Sequence, residues 1–193
     1  MLFRSTFEDN CPFVSNADQS DLDGNGTGDV CAADDILGFE DPSFWRTLVG
    51  TTTLDFSYEH TQGAGALSVK SSNFVELTST TMSTAQVRGR FEVANPTRIR
   101  YDLFVPAPAP NPHWIGFTQL YISCPSAGIN HQYIGQLELT GLPTNAWRTV
   151  SLALPAQVRT ALASNRNDFS IQIAINAPSA VQNFALDNVR FGN

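Results

Sequence analysis

Lysine is almost missing from this sequence. Of 11 basic residues only Lys70 is a lysine, and arginine supplies the rest. No basic face of the kind that grips nucleic acid can be assembled from so few and so scattered cations. Long apolar runs are missing too. No stretch approaches the ~20 residues of a membrane-crossing helix, and residues 1–10 hold no apolar run of signal-peptide type. Histidine is sparse: His60, His113 and His131 are separated by long gaps and form no HExxH-type pair. A Gly-x-Ser-x-Gly nucleophile motif is absent. Cysteine is limited to Cys11, Cys31 and Cys124. Cys11 and Cys31 flank an acidic loop and are expected to bridge, closing a loop otherwise held only by an ion. Cys124 is then left over, either as a buried thiol or as a partner for something outside this chain.

What is present is unevenly placed. Residues 1–41 hold ten Asp/Glu and one Arg, a balance of −9, whereas residues 42–193 hold eight acidic and ten basic residues, a balance of +2. The net −7 of the 193-residue chain thus belongs to its N-terminal segment. Within that segment Asp21, Asp23, Asn25 and Asp29 stand at the first, third, fifth and ninth positions of a calcium loop, with Gly26 at the sixth. The Thr27 carbonyl supplies the seventh. Hard oxygen donors at alternate positions followed by a sharp turn suit calcium, which takes six to eight oxygens in irregular geometry. Ala32 occupies the twelfth position, where a calcium-sensor loop has a bidentate Glu, so this is not a helix–loop–helix sensor.

The order Asp9-Asn10-Cys11-Pro12, Asn16, Asp18-Gln19, then Asp21-x-Asp23-x-Asn25-Gly26-x-Gly28-Asp29-x-Cys31 resembles a thrombospondin type 3 repeat. The resemblance implies an extracellular, calcium-loaded segment without regular secondary structure, with Asp18, Asp21, Asp23, Asn25, Thr27 and Asp29 around the ion. A disulfide and a calcium site both point outside the cytosol. The chain therefore reads as a segment of a longer, multimodular secreted protein.

From Ile36 onward, short apolar alternations separated by Gly, Pro, Asn and Ser predict strands. They run over 54–58, 66–70, 74–78, 86–93, 98–106, 114–123, 133–140, 147–154, 169–176 and 184–191. Residues 155–162, opened by Pro155, predict the one helix. This pattern predicts an all-β, antiparallel β-sandwich of jelly-roll type. The expected division is residues 1–35 as the calcium repeat and 36–193 as the sandwich domain.

Period-2 alternation assigns faces. Ile99, Tyr101, Leu103 and Val105 are expected inward, with Arg98, Arg100, Asp102 and Phe104 outward. Ile115, Phe117, Gln119 and Tyr121 are taken as outward, because Gln119 is costly to bury unpaired. Tyr133, Gly135, Leu137 and Leu139 are taken as inward, leaving Gln136 and Glu138 outward; Phe169, Ile171, Ile173 and Ile175 are core. Trp45 and Trp147 are read as core. Trp114, ending the proline-rich 106–112 stretch, could be a core ring or an exposed platform. The resulting outward face, rich in Arg, Gln, Asp, Glu and Tyr, suits sugars. Planar polar groups bond vicinal hydroxyls, and rings cover the C–H face of a pyranose.

Gly38-Phe39-Glu40-Asp41 with Trp45, the Gly-rich turn from His60 to Leu67, and Phe184 to Phe191 with its Asp187-Asn188-Val189 core resemble a β-jelly-roll carbohydrate-binding module. That resemblance implies adjacent first and last strands, with Glu40 and Asp187 clamping a structural calcium and Asp41 as a secondary candidate. The combined reading is a non-catalytic module that tethers a larger protein to a polysaccharide. Its contacts would be Arg100, Asp102, Gln119, Tyr121, Gln136 and Glu138, with His131 or Trp114 at the rim. A protein-binding adhesion module is the alternative. A hydrolase or lyase would need two carboxylates about 5–5.5 Å or ~6.5–9.5 Å apart; Asp102 with Glu138 is the pair that would have to converge.

Overall fold

A computed structural model describes residues 9–11, 17, 19, 28–109, 111 and 113–193. The ligands expected at Asp18, Asp21, Asp23, Asn25 and Thr27 lie outside the described residues, and of Asp29 only the backbone is described. Cys11 and Cys31 are bridged, with Cα atoms 5.6 Å apart. The segment after this loop is not irregular as expected. Asp29–Leu37 is a helix, α1, crossing the boundary expected at residue 35. Its Ala33, Ile36 and Leu37 are buried, the i, i+3, i+4 stripe of a helix lying on a core. Asp34 pairs with Arg90, and the Trp45 indole donates to the Ile36 carbonyl at 2.8 Å.

Eight strands follow among the described residues: β1 (Trp45–Val49), β2 (Thr52–Ser57), β3 (Ala66–Ser79), β4 (Arg98–Val105), β5 (Phe117–Cys124), β6 (Ile129–Glu138), β7 (Ala146–Ala153) and β8 (Ser170–Gly192). Two helices join them, α2 (Thr84–Arg88) and α3 (Ala156–Leu162). The expected strand over 86–93 is α2 instead. Ser83 and Gln86 form a reciprocal capping box, so local capping of the backbone wins over apolar alternation. The strand segments expected at 66–70 and 74–78 are one strand, β3, and those at 169–176 and 184–191 are one strand, β8. A register shift between Ser71 and Asn73 marks the bend in β3.

These two long antiparallel strands run through both layers. In one layer the order is β1-β3-β8-β5-β6, using residues 73–79 of β3 and 170–177 of β8. In the other it is β2-β3-β8-β4-β7, using 66–71 and 182–192. Between the layers lie Ile99, Tyr101, Leu103, Val105, Leu120, Ile122, Ile171, Ile173, Ile175 and Leu186, all essentially without exposure. Tyr101 of β4 meets Thr118 of β5 across this core at 2.7 Å, and Thr118 donates onward to the Ala174 carbonyl at 3.1 Å. The Tyr101 hydroxyl is therefore the donor to Thr118, and burial pushes its ionisation far up. Both hydroxyls that meet across the core are thus paired. Trp45 is core as expected and stacks on Phe39 with centroids 4.7 Å apart. Trp147 is not. It is half-buried on the outside of the second layer, edge-on to Phe104 at 5.6 Å. Cys124 is a buried free thiol 3.3 Å from an Asp168 oxygen.

Candidate functional site

The outer face of the first layer gathers amide, carboxylate and tyrosine side chains. Gln119 and Tyr121 project from β5, with Gln136 paired opposite Gln119 and Tyr133 opposite Tyr121 on β6. On β8, Gln172 lies beside Tyr121 and Ala174 beside Gln119. On β3, Thr78 and Glu76 continue the same two rows. Side-chain hydrogen bonds run across this face in one direction. The Tyr121 hydroxyl donates to Gln119 at 2.9 Å, Gln119 to Gln136 at 3.0 Å, and Gln136 to Glu138 at 3.0 Å. The relay ends on an exposed carboxylate. A second set joins Ser123 to Gln172 and Gln172 to Ser170 and Thr78.

The face is curved, and one contact shows it. His131 Nε2 donates to Glu76 Oε1 at 2.6 Å. Their strands, β6 and β3, are separated by β5 and β8, which in a flat sheet would put the backbones about 14 Å apart. Two side chains of this length meet only if the layer curls between β3 and β6. The bridge passes over Tyr121, whose ring lies parallel to the imidazole at 4.2 Å and 15°. Tyr133 meets Tyr121 edge-on at 5.5 Å and is itself 47% exposed. Burial, then the charge of Glu76 and the neighbouring Tyr133, raise the ionisation of Tyr121.

Sequence reasoning placed Gln119, Tyr121, Gln136 and Glu138 on one outward face, and the structure brings these four together; His131, expected in a loop at the rim, is instead in β6 with its ring over Tyr121. Phe117 also points outward, whereas Ile115 is buried because Gly116, at φ +118°, breaks the alternation. Trp114 is half-buried in the turn three residues before β5. Arg100 and Asp102 do not join this face. Both lie on β4 in the other layer, since alternation tells outward from inward but not which sheet a strand enters. Arg100 pairs with Glu92 at 2.6 Å. Asp102 is buried and receives bonds from Thr149 at 2.6 Å, Thr61 at 3.0 Å, Arg190 at 3.0 Å and Asn188 at 3.2 Å. With Asp102 and Glu138 on opposite layers, the carboxylate pair considered for hydrolysis does not converge. Tyr133, expected inward, is outward. A register shift between Leu120 and Tyr121 inserts an extra residue on β6 and rephases it. Alternation turns Gln172 outward but does not say which sheet its strand faces, and nothing in the sequence marks Glu76, so both were missed as site residues.

A second cluster lies on the outside of the other layer, where the loop between β2 and β3 is clamped at both ends. Asp187 Oδ2 accepts from Thr61 N at 2.5 Å, Thr61 Oγ1 at 2.7 Å and Gln62 N at 3.0 Å. Glu40 Oε2 accepts from Ala64 N at 2.8 Å and Gly65 N at 3.1 Å. Both carboxyls are raised, first by burial; Asp102 adds to this at Asp187, and Asp187 itself adds to it at Glu40. The remaining oxygens, Glu40 Oε1 and Asp187 Oδ1, are buried without a protein partner, as is Gln62 Oε1. Unpaired acceptors beside two mutually repelling carboxylates are what a hard cation satisfies. Among the described residues no three His, Cys, Asp or Glu side chains gather as a metal site, so any ion here would rest on two carboxylates plus amide or carbonyl oxygens. Asp41 is occupied, accepting from Ser43 N at 2.8 Å to cap the 42–44 turn.

No protein-family model matches the sequence, and no curated protein matches it. Solved structures do resemble it. One is a carbohydrate-binding module of the β-sandwich superfamily described for its promiscuous specificity, with 17% identity and TM-score 0.54. The match covers 81% of this chain and 61% of that one. The CBM27-1 module of Caldicellulosiruptor saccharolyticus in complex with mannohexaose matches at 15% identity and TM-score 0.50, over 81% of this chain and 95% of that one. The family 11 module of Clostridium thermocellum, in complex with a β-1,3-1,4-mixed-linked tetrasaccharide, matches at 12% identity and TM-score 0.50, covering 81% and 92%. At these identities the likeness is one of architecture: the chain has the antiparallel β-sandwich fold seen in carbohydrate-binding modules.

Proposed function

We propose that residues 36–193 form a non-catalytic carbohydrate-binding module of a larger secreted protein, tethering it to a polysaccharide. The observation that carries this reading is the curved outer face of β6-β5-β8-β3. There a half-exposed Tyr133 ring adjoins the Tyr121–Gln119–Gln136–Glu138 relay. A ring for the C–H face of a pyranose beside amides and a carboxylate for its hydroxyls is the chemistry of sugar capture. The mannohexaose and the β-1,3-1,4-mixed-linked tetrasaccharide held by two structural neighbours support an oligosaccharide chain as the class of ligand. A docking surface for protein is expected to be apolar at its centre, whereas this one sets Gln119, Gln172, His131 and Glu76 around the Tyr121 ring.

Calcium is proposed at Glu40 and Asp187, where the orphaned oxygens fit it, and at the acidic loop closed by Cys11–Cys31. The Glu40–Asp187 cluster sits outside one layer and the sugar face outside the other, which supports a calcium that stiffens the fold without touching the ligand.

The test is calorimetric titration with mannohexaose and with the mixed-linked tetrasaccharide, together with pull-down on insoluble polysaccharides, in calcium and in EDTA. Binding to one glycan class is expected. Tyr133→Ala is expected to weaken it by about tenfold, or ~1.4 kcal/mol, without lowering the melting temperature. A folded protein that binds no glycan would refute the reading and direct the search to a protein partner.

A further inference from the structure

The residue covering the centre of the proposed sugar face carries several unusual features at once. His131 is a non-glycine residue at φ +48° inside a strand, a conformation that β-strand residues rarely adopt. That backbone turn aims its ring back over the face. The imidazole lies flat on Tyr121 at 4.2 Å and bonds Glu76 at 2.6 Å from three strands away. Glu76 is 4% exposed on the outer face, where Thr78, Gln172 and Ala174 around it are as deeply covered. Among the described residues its carboxylate bonds nothing but His131. The His131 side chain itself is 48% exposed. A half-exposed imidazole thus bonds a buried carboxylate and lies over the flat side of a tyrosine ring.

We infer that His131 is a displaceable cover over a central subsite made by Tyr121 and Glu76, and that a bound pyranose takes its place. The inference rests on the carbohydrate reading and sharpens it. The imidazole presents what a sugar ring presents to these two residues: a flat face to the Tyr121 ring and a donor to the Glu76 carboxylate. A pyranose would stack its C–H face on Tyr121 and donate a hydroxyl hydrogen to Glu76. Tyr133, edge-on to Tyr121 and uncovered, makes the adjoining subsite that is open before the cover moves. No covalent change is involved. His131 and the ligand compete for one place, so the apparent affinity falls by the fraction of molecules that are uncovered.

His131→Gly tests this, because glycine keeps the left-handed backbone at no steric cost while removing the ring. Wild type and variant are titrated with mannohexaose and the mixed-linked tetrasaccharide, after melting curves confirm that both are folded. The expected result is about tenfold tighter binding by the variant, equivalent to ~1.4 kcal/mol, with Glu76→Gln in the same background reversing the gain. In parallel, the imidazole proton resonances of wild-type His131, displaced by the Tyr121 ring, are expected to shift toward ordinary values on ligand addition. Weaker binding by His131→Gly would make His131 a direct ligand contact and overturn the cover. Equal binding with unmoved His131 resonances would overturn it as well. Loss of glycan binding in both proteins would instead remove the carbohydrate reading, and the cover with it.

Discussion

Asp187→Asn separates two roles that one carboxylate performs. The amide oxygen of asparagine can replace Oδ2, keeping the acceptor for Thr61 N, Thr61 Oγ1 and Gln62 N. Its NH2 then occupies the place of Oδ1, the buried oxygen left without a partner, and a cation there loses both a ligand and a charge. In EDTA the variant is expected to melt no lower than wild type. Burial and Asp102 raise the Asp187 carboxyl, so its ionised form is a cost that asparagine removes. In calcium the order reverses. An ion bound only by the folded state adds about 2.7 kcal/mol at ~100 times its Kd. At roughly 2–4 °C per kcal/mol for a chain of this size, that is about 5–11 °C in Tm. Most of this increment is expected to vanish in the variant, while ions in the acidic loop contribute equally to both proteins and cancel. Differential scanning calorimetry in calcium and in EDTA reads the four values. A variant that melts lower by the same margin in both conditions would refute the metal role and leave Asp187 as an anchor for the loop alone.

The pH dependence follows with its sign. A carboxyl raised in the folded state stabilises it at low pH, and the benefit is lost as pH rises through the raised value. In EDTA the stability of wild type relative to Asp187→Asn is therefore expected to fall as pH rises above the ordinary carboxylate range, and calcium is expected to abolish that slope. Gly63→Ala should destabilise by more than ~1 kcal/mol in thermal melts. Gly63 has φ +73°, and a Cβ there would lie 1.4 Å from Glu40 Oε1, so calcium affinity should fall too. Tyr101→Phe removes the donor to Thr118 but leaves Thr118 bonded to Ala174. A loss of ~1–1.5 kcal/mol is expected, with glycan titrations unchanged.

The sandwich was readable where alternation is uninterrupted. Ile99, Tyr101, Leu103 and Val105 on β4, and the isoleucines of β8, alternate without a break and are buried as expected. Reading failed where the backbone changes phase. The bulge on β6 turned Tyr133 outward, and Ser71 to Asn73 looked like a strand end but marks a bend within β3. The five-residue α2 is signalled only by Ser83 and Gln86 three positions apart, a signal short enough to be hidden by the surrounding apolar residues. Of the candidate site, the β5 residues came from alternation, and Glu40 with Asp187 came from resemblance. Arg100 and Asp102 were misplaced because no local pattern encodes which of two layers a strand joins. Glu76 entered the site only through a contact spanning three strands, which pairwise spacing in sequence does not register.

Helix α1 has a mechanical consequence. One end carries Cys31, bonded to Cys11, and the other seats Leu37 in the core. A pull applied at Cys11 therefore has no slack hinge to straighten before it reaches the sandwich. It passes through the disulfide and the Asp34–Arg90 pair into the layers that β3 and β8 share. Because those two strands are continuous through both layers, the load cannot peel one sheet from the other without breaking strands along their length. For a domain proposed to hold a protein on a solid surface, that makes α1 part of the grip.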